Sequence, residues 1–208
     1  MWAGKYFPAL LFFTTNNLKG DINIKLLIEQ VKSSSEAAEY KLFRLYFPYV
    51  KSICNRYGAG EQESQEMVND TFLKVFRNID KYDPEFEFKP WLRKVCINCC
   101  LSYNKKKFIT YSALEPEMAH QVWDDQDAVV EYFNSEECLS ILKELSPQYR
   151  TIFNLYVFED MKHHEIAQEL NISVGTSKSN LNRAKAKLIE IMSIKKPEIF
   201  KQKMALNG

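Results

Sequence analysis

Apolar residues recur along this chain with helical period, and no stretch sustains the alternation of a half-buried strand. Asp21 is the expected N-cap of a first helix to about Lys32, with Ile24, Leu27, Ile28 and Val31 on one face. Ser35 opens a second, to about Tyr57, which carries Leu42, Leu45, Val50, Ile53 and Cys54 and should kink at Pro48. A third, from about Glu63 to Ile79, buries Val68, Phe72, Val75, Phe76 and Ile79 and turns Asp70, Lys74 and Arg77 outward. The pattern breaks over Asp80 to Lys89, an aromatic loop holding Tyr82, Phe86 and Phe88 around Asp83-Pro84. A fourth helix is expected from Pro90, at its first position, to Lys107, with Trp91, Leu92, Val95, Ile97 and Leu101 inward.

After Phe108 the helical signal fades until about Asn134, and a C-terminal bundle then begins. Ser135 caps a short helix to Leu145, and Ser146-Pro147 starts another through about Phe158. From Lys162 to Met192 two helices meet at a tight turn. The first places Ile166, Ala167 and Leu170 on one stripe, and Ala167 is small enough to let another helix cross closely. Asn171 tolerates the left-handed conformation of a helix end, and the Ser173 hydroxyl is placed to accept the N–H of Gly175 or Thr176. In the second helix Val174, Leu181, Ala184 and Leu188 are the expected inner face, leaving Thr176, Ser179, Asn180, Arg183 and Lys187 outward to meet base edges or phosphates. The expected fold is therefore all-α, two small bundles joined by a flexible linker, the C-terminal one carrying a helix-turn-helix.

Charge sharpens this division. The formal net charge of +1 over 208 residues would argue against a nucleic-acid partner if it were evenly spread. It is segregated instead: Tyr111 to Leu142 contains no Lys or Arg but holds Glu115, Glu117, Asp124, Asp125, Asp127, Glu131, Glu136 and Glu137. Basic runs flank it, Lys105 to Lys107 before and Lys178 to Lys203 after. The opening residues, MWAGKYFPALLFF, lack a small-residue cleavage site, so they are expected to be a loosely ordered extension, or the product of a start codon placed too early, and not a signal peptide. A cytoplasmic protein is the expectation. The five cysteines are an odd number, which disfavours a disulfide scaffold, and Cys96, Cys99 and Cys100 in CINCC read as buried small hydrophobes because no second cysteine pair completes a zinc site. No metal and no cofactor are expected. A metal-dependent enzyme built on His163, His164 and Glu165 is disfavoured too, since adjacent side chains on a helix point about a hundred degrees apart. A stand-alone regulator, binding DNA without polymerase, is the other reading these residues permit.

Two blocks decide the family. QEMVNDTFLKVFRNIDKYDPEFEFKPWLRKVCINCCLSYNKKK resembles the second conserved region of the extracytoplasmic-function sigma factors, and LSPQYRTIFNLYVFEDMKHHEIAQELNISVGTSKSNLNRAKAKL resembles their fourth. The likeness covers about Lys25 to Ile191, in the family's order. It implies a non-enzymatic subunit that binds core RNA polymerase and promoter DNA, and in many members is held by a cognate anti-sigma factor. It further implies an extension over 1–20, a polymerase-binding and minus-10 domain over 21–107, a linker over 108–134, a minus-35 domain over 135–194 and a basic tail over 195–208. Minus-35 contacts would fall to Ser173, Thr176, Ser179, Asn180, Arg183 and Lys187. For the minus-10 element, aromatic faces beside cations are what unstacked bases bind, and Tyr82, Phe86, Phe88, Trp91, Arg93, Lys94, Asn98 and Lys105 supply both. Trp91 serves equally as core, and Phe86 is open to base contact or loop packing. Asp70 and Lys74 resemble the surface that docks on the polymerase clamp helices; a plain solvated face has the same letters. Two positions depart from the family. Ser177 replaces an apolar inner residue, expected to loosen packing slightly. Asn180 stands where Arg is common beside Ser179, exchanging a phosphate or guanine contact for an amide suited to adenine.

Overall fold

A computed structural model describes residues 23–111, 136–195 and 197, and every regular element among them is helical. The expected extension over 1–20, the caps Asp21 and Ser135, the acidic stretch from Ser112 and the tail beyond 197 lie outside the described residues. Contacts divide the chain into two compact units, residues 1–54 with 61–100 and residues 55–60 with 101–208.

In the first unit, α1 (Ile24–Lys32) begins at Asn23, whose carboxamide oxygen accepts the N–H of Leu26 at 3.1 Å, and it buries Leu27, Ile28 and Val31. Asn23, two residues beyond the expected Asp21, is the working cap. The second helix, α2 (Glu36–Tyr57), starts one residue past Ser35 and runs on through Pro48, which is exposed. Lys51 of α2 bonds the Glu61 carboxylate at 2.6 Å across the turn to α3 (Glu61–Asn78). Leu42, Val50 and Ile53 of α2 and Met67, Val68, Phe72 and Val75 of α3 are buried, and the Phe43 and Phe72 rings of the two helices meet with centroids 4.6 Å apart; each fully buried side chain of this kind contributes about 1.5–3 kcal/mol. A single 3-10 turn, Ile79–Lys81, ends α3. Then comes α4 (Phe88–Tyr111). It begins two residues ahead of Pro90 and extends past the expected Lys107, so the first residues assigned to the linker are helical. Pro90 is tolerated at the third helical position because the first four N–H groups of a helix have no intrahelical partner.

The second unit gathers the ends of α2 and α4 with the C-terminal helices α5 (Glu136–Leu142), α6 (Pro147–Val157), α7 (His163–Leu170) and α8 (Val174–Lys195). Ser146 caps α6 by accepting the N–H of Tyr149. Within this unit the buried Asn104 amide donates to the Tyr57 carbonyl and the Thr151 hydroxyl, both at 3.3 Å, and Asn154 donates to the Arg56 carbonyl at 2.9 Å. Arg56 in turn pairs with Glu159 at 3.3 Å and lies over the Phe158 ring. The apolar centre is Ile141, Leu142, Ile152, Phe153, Leu155, Ile166, Leu181, Ala184 and Leu188.

Candidate nucleic-acid interface

The helix-turn-helix is fixed by its own backbone needs. Glu165 reaches back to accept the Lys162 N–H at 2.6 Å, closing the start of α7. Asn171 takes the left-handed conformation, φ 54° and ψ 51°, and the Ile172 N–H bonds the Ala167 carbonyl, so the chain reverses as expected. Ser173 then accepts the Thr176 N–H at 2.9 Å and shares a hydroxyl bond with Thr176 at 2.8 Å. The two helices are further pinned by a bond between His163 Nδ1 and the buried Ser177 hydroxyl at 3.0 Å. Ser177 thus fastens the motif where looser packing was expected. The His163 ring also stacks on Tyr156, with centroids 4.9 Å apart. Burial, then the charges of Lys178 and Lys185, hold the His163 imidazole below its ordinary pKa.

On α8 the outward residues are Lys178, Ser179, Asn182 and Lys187, with Ser173 exposed just before the helix and Thr176 and Arg183 half-buried. Two expectations fail here. Asn180 is 4% exposed and lies on the inner face, while Val174 is 43% exposed and lies outside it. The stripe explains both, because Asn180, Ala184 and Leu188 are four residues apart and share one side, whereas Val174 sits in the first turn before the helix meets the core. Lys178 and Asn182, missed in the sequence, each sit one position past a buried residue, Ser177 and Leu181, and so about a hundred degrees round the helix from the inner face. Lys187 is held by Glu190 at 2.8 Å. Lys185, despite its charge, is buried with Nζ 5.6 Å from the Tyr156 ring centroid.

The second candidate surface lies where the aromatic turn meets α4. Tyr82 and Phe88 meet edge-to-face with centroids 5.3 Å apart, Trp91 stands 5.5 Å from the first and 5.6 Å from the second, and Tyr46 adds a further edge at 5.1 Å. Tyr82 and Phe88, each 4% exposed, are therefore the floor of this corner and not faces open to a base. Phe86 is 70% exposed. It is presented by a short turn in which the Tyr82 hydroxyl donates to the Phe86 carbonyl and Asp83 accepts the Glu85 N–H at 3.0 Å. Loop packing is thereby ruled out for its ring. Trp91 is half-buried, Arg93 likewise, and Lys94 and Asn98 are exposed one turn apart, with Lys105 exposed farther along α4.

A third surface is the outer side of α3. Asp70, Lys74 and Arg77 are exposed at i, i+4 and i+7 over buried Met67, Thr71 and Val75. Among the described residues no helix is long and apolar enough to cross a membrane.

Comparison with known proteins places names beside these surfaces. The family model Sigma-70 region 2 matches residues 42–107, and Sigma-70, region 4 matches residues 135–188. The chain is 27% identical over 180 residues to the ECF RNA polymerase sigma factor SigW of Bacillus subtilis, covering 81% of this chain and 96% of that one. It is 23% identical over 157 residues to the ECF RNA polymerase sigma factor SigE of Mycolicibacterium smegmatis, covering 74% of this chain and 61% of that one. A solved structure of the sigma factor RpoE with the anti-sigma factor NepR from Bartonella quintana aligns at 19% identity and a TM-score of 0.44, over 76% of this chain and 98% of that one.

Proposed function

The chain belongs to the extracytoplasmic-function group of the sigma-70 family, whose members direct promoter-specific transcription initiation, and we propose how its residues divide that work. Within 135–194, α8 reads the minus-35 element through Ser173, Thr176, Lys178, Ser179, Asn182, Arg183 and Lys187. Asn180 supports that helix from beneath. Within 21–107, Phe86 and the open part of Trp91 stack on bases freed from the minus-10 duplex, Arg93, Lys94, Asn98 and Lys105 hold the displaced strand's backbone, and Tyr82 and Phe88 brace the corner. Asp70 and Lys74 dock on core RNA polymerase.

The observation carrying this division is the contrast in exposure at the aromatic turn: an almost bare Phe86 ring beside rings that are closed off. A large apolar side chain held out by a defined turn, next to Lys94 and Asn98, suits a flat apolar ligand on an anionic backbone. The chain performs no chemistry of its own in this reading, acts in the cytoplasm, and has an anti-sigma protein as a further partner. Transcription in vitro with core polymerase and a library of promoter fragments tests it. Defined start sites that vanish without this chain are expected; DNA binding that needs no polymerase and yields no transcript would return the account to a stand-alone regulator.

A further inference from the structure

Three thiols converge in the first unit. Cys54 of α2 faces Cys96 and Cys100 of α4, which share one side of their helix because they are four residues apart. The Cys54 and Cys96 sulfurs are 3.6 Å apart, those of Cys54 and Cys100 3.9 Å, and all three lie within 4.8 Å of one another. Each of the three residues is 0% exposed. Two sulfurs bound to one ion at about 2.3 Å in tetrahedral geometry stand about 3.8 Å apart. Two of the three pairs, contributed by two helices, already stand near that spacing and the third lies within 4.8 Å, so a pyramidal three-sulfur centre, whose angles are narrower than tetrahedral, asks for a modest inward movement of the side chains.

Formal charge selects the ion. Bonds among the thiols themselves and then burial act on Cys54 and Cys100. Three thiolates around a monovalent or divalent cation would leave net negative charge in that apolar setting, which is costly. A trivalent thiophilic ion leaves none. The geometry points to Cys54, Cys96 and Cys100 as a three-sulfur site for a trivalent metalloid of the arsenite class. With arsenous acid, each As–OH bond gives way to an As–S bond and the thiol proton leaves with the hydroxide as water. Three thiols and As(OH)3 yield three waters; arsenic stays trivalent and no electrons move. The exchange consumes neutral thiols and a neutral acid, so it builds no buried charge between start and finish. The bridge ties α2 to α4, the helix that begins at the aromatic corner. It stands independently of the promoter contacts proposed above.

Cys99 provides an internal control. It is buried on another side of α4, where the Thr71 hydroxyl and Lys74 act on its thiol. The full chain, kept reduced with a phosphine, is incubated with arsenite and desalted, and bound arsenic is measured by mass spectrometry and X-ray absorption. One arsenic per chain with three sulfur neighbours is expected. Cys54→Ala, Cys96→Ala and Cys100→Ala should each weaken binding by about tenfold or more, while Cys99→Ala and Cys138→Ala do not. No retained arsenic, fewer than three sulfur neighbours, or undiminished binding by Cys54→Ala would overturn the site; so would tight zinc binding by the same cysteines with arsenite refused. Should an alanine variant fail to fold, the sulfur count on the unmutated chain decides the matter.

Discussion

The two surfaces proposed to meet DNA are built in opposite ways. On α8 the proposed contact residues are polar and ride over an inner face of Leu181, Ala184 and Leu188, so most of the support differs in type from the contacts, with buried Ser177, Asn180 and Lys185 as polar exceptions. At the aromatic corner they are the same type. Tyr82, Phe86, Phe88 and Trp91 look alike as letters, yet one is open, one is half-open and two are closed. Residue chemistry therefore picks out most contact residues on α8 and fails at buried Asn180, while at the corner only burial separates contact from support.

The largest expected effect separates support from contact at that corner. Phe88→Ala should cost about 3–5 kcal/mol of stability, as for other buried aromatic truncations, whereas Phe86→Ala should change it by about 0.5 kcal/mol or less. Thermal or denaturant unfolding of both variants checks this. Equal losses would mean that Phe86 packs in solution and the contrast is wrong.

On α8 the corresponding pair is Arg183 and Asn180. Arg183→Ala should lose about 1–3 kcal/mol of minus-35 affinity if it contacts a base, and Asn180→Ala should leave base preference unchanged. Footprinting with altered minus-35 sequences reads both. A changed preference in Asn180→Ala would put that amide on the outer face after all.

A smaller effect is expected on α3. Reversing Asp70 and Lys74 together exchanges exposed charges whose pairs are each worth about 1 kcal/mol or less, so core-polymerase affinity should fall several-fold and more strongly at low salt. Unchanged affinity at both salt concentrations would remove this face from the docking surface.

The smallest is a pH effect at His163. Its folded pKa lies below the ordinary value of 6.5 because of burial and then Lys178 and Lys185, so the unfolded chain takes up the proton first as pH falls. The contribution is complete above pH 6.5, declines below it, and is lost once pH passes the folded value. Stability of the unmutated chain should fall over that range more than that of His163→Gln; identical profiles would mean that the imidazole is not depressed.

How much of this was legible in the letters depended on distance along the chain. The turn between α7 and α8 could be read because Asn171 and Ser173 act on neighbours within a few residues. The start of α4 could not, because Phe88 is drawn into the helix by rings at Tyr46 and Tyr82, and Pro90 alone suggested a later beginning. Asn180 was misplaced by its polarity, though its spacing to Ala184 and Leu188 already put it inside. The thiol cluster was half visible, as Cys96 and Cys100 share a helix face, while Cys54 joins them only through the crossing of α2 and α4.

One promoter and two variants test the central claim, that recognition and melting are divided between α8 and the aromatic corner. Upstream protection and permanganate reactivity of unpaired thymines are measured together on complexes with core polymerase. Arg183→Ala should weaken upstream protection, and Phe86→Ala should keep it while losing thymine reactivity. Loss of both signals in both variants, or of neither, would contradict the division.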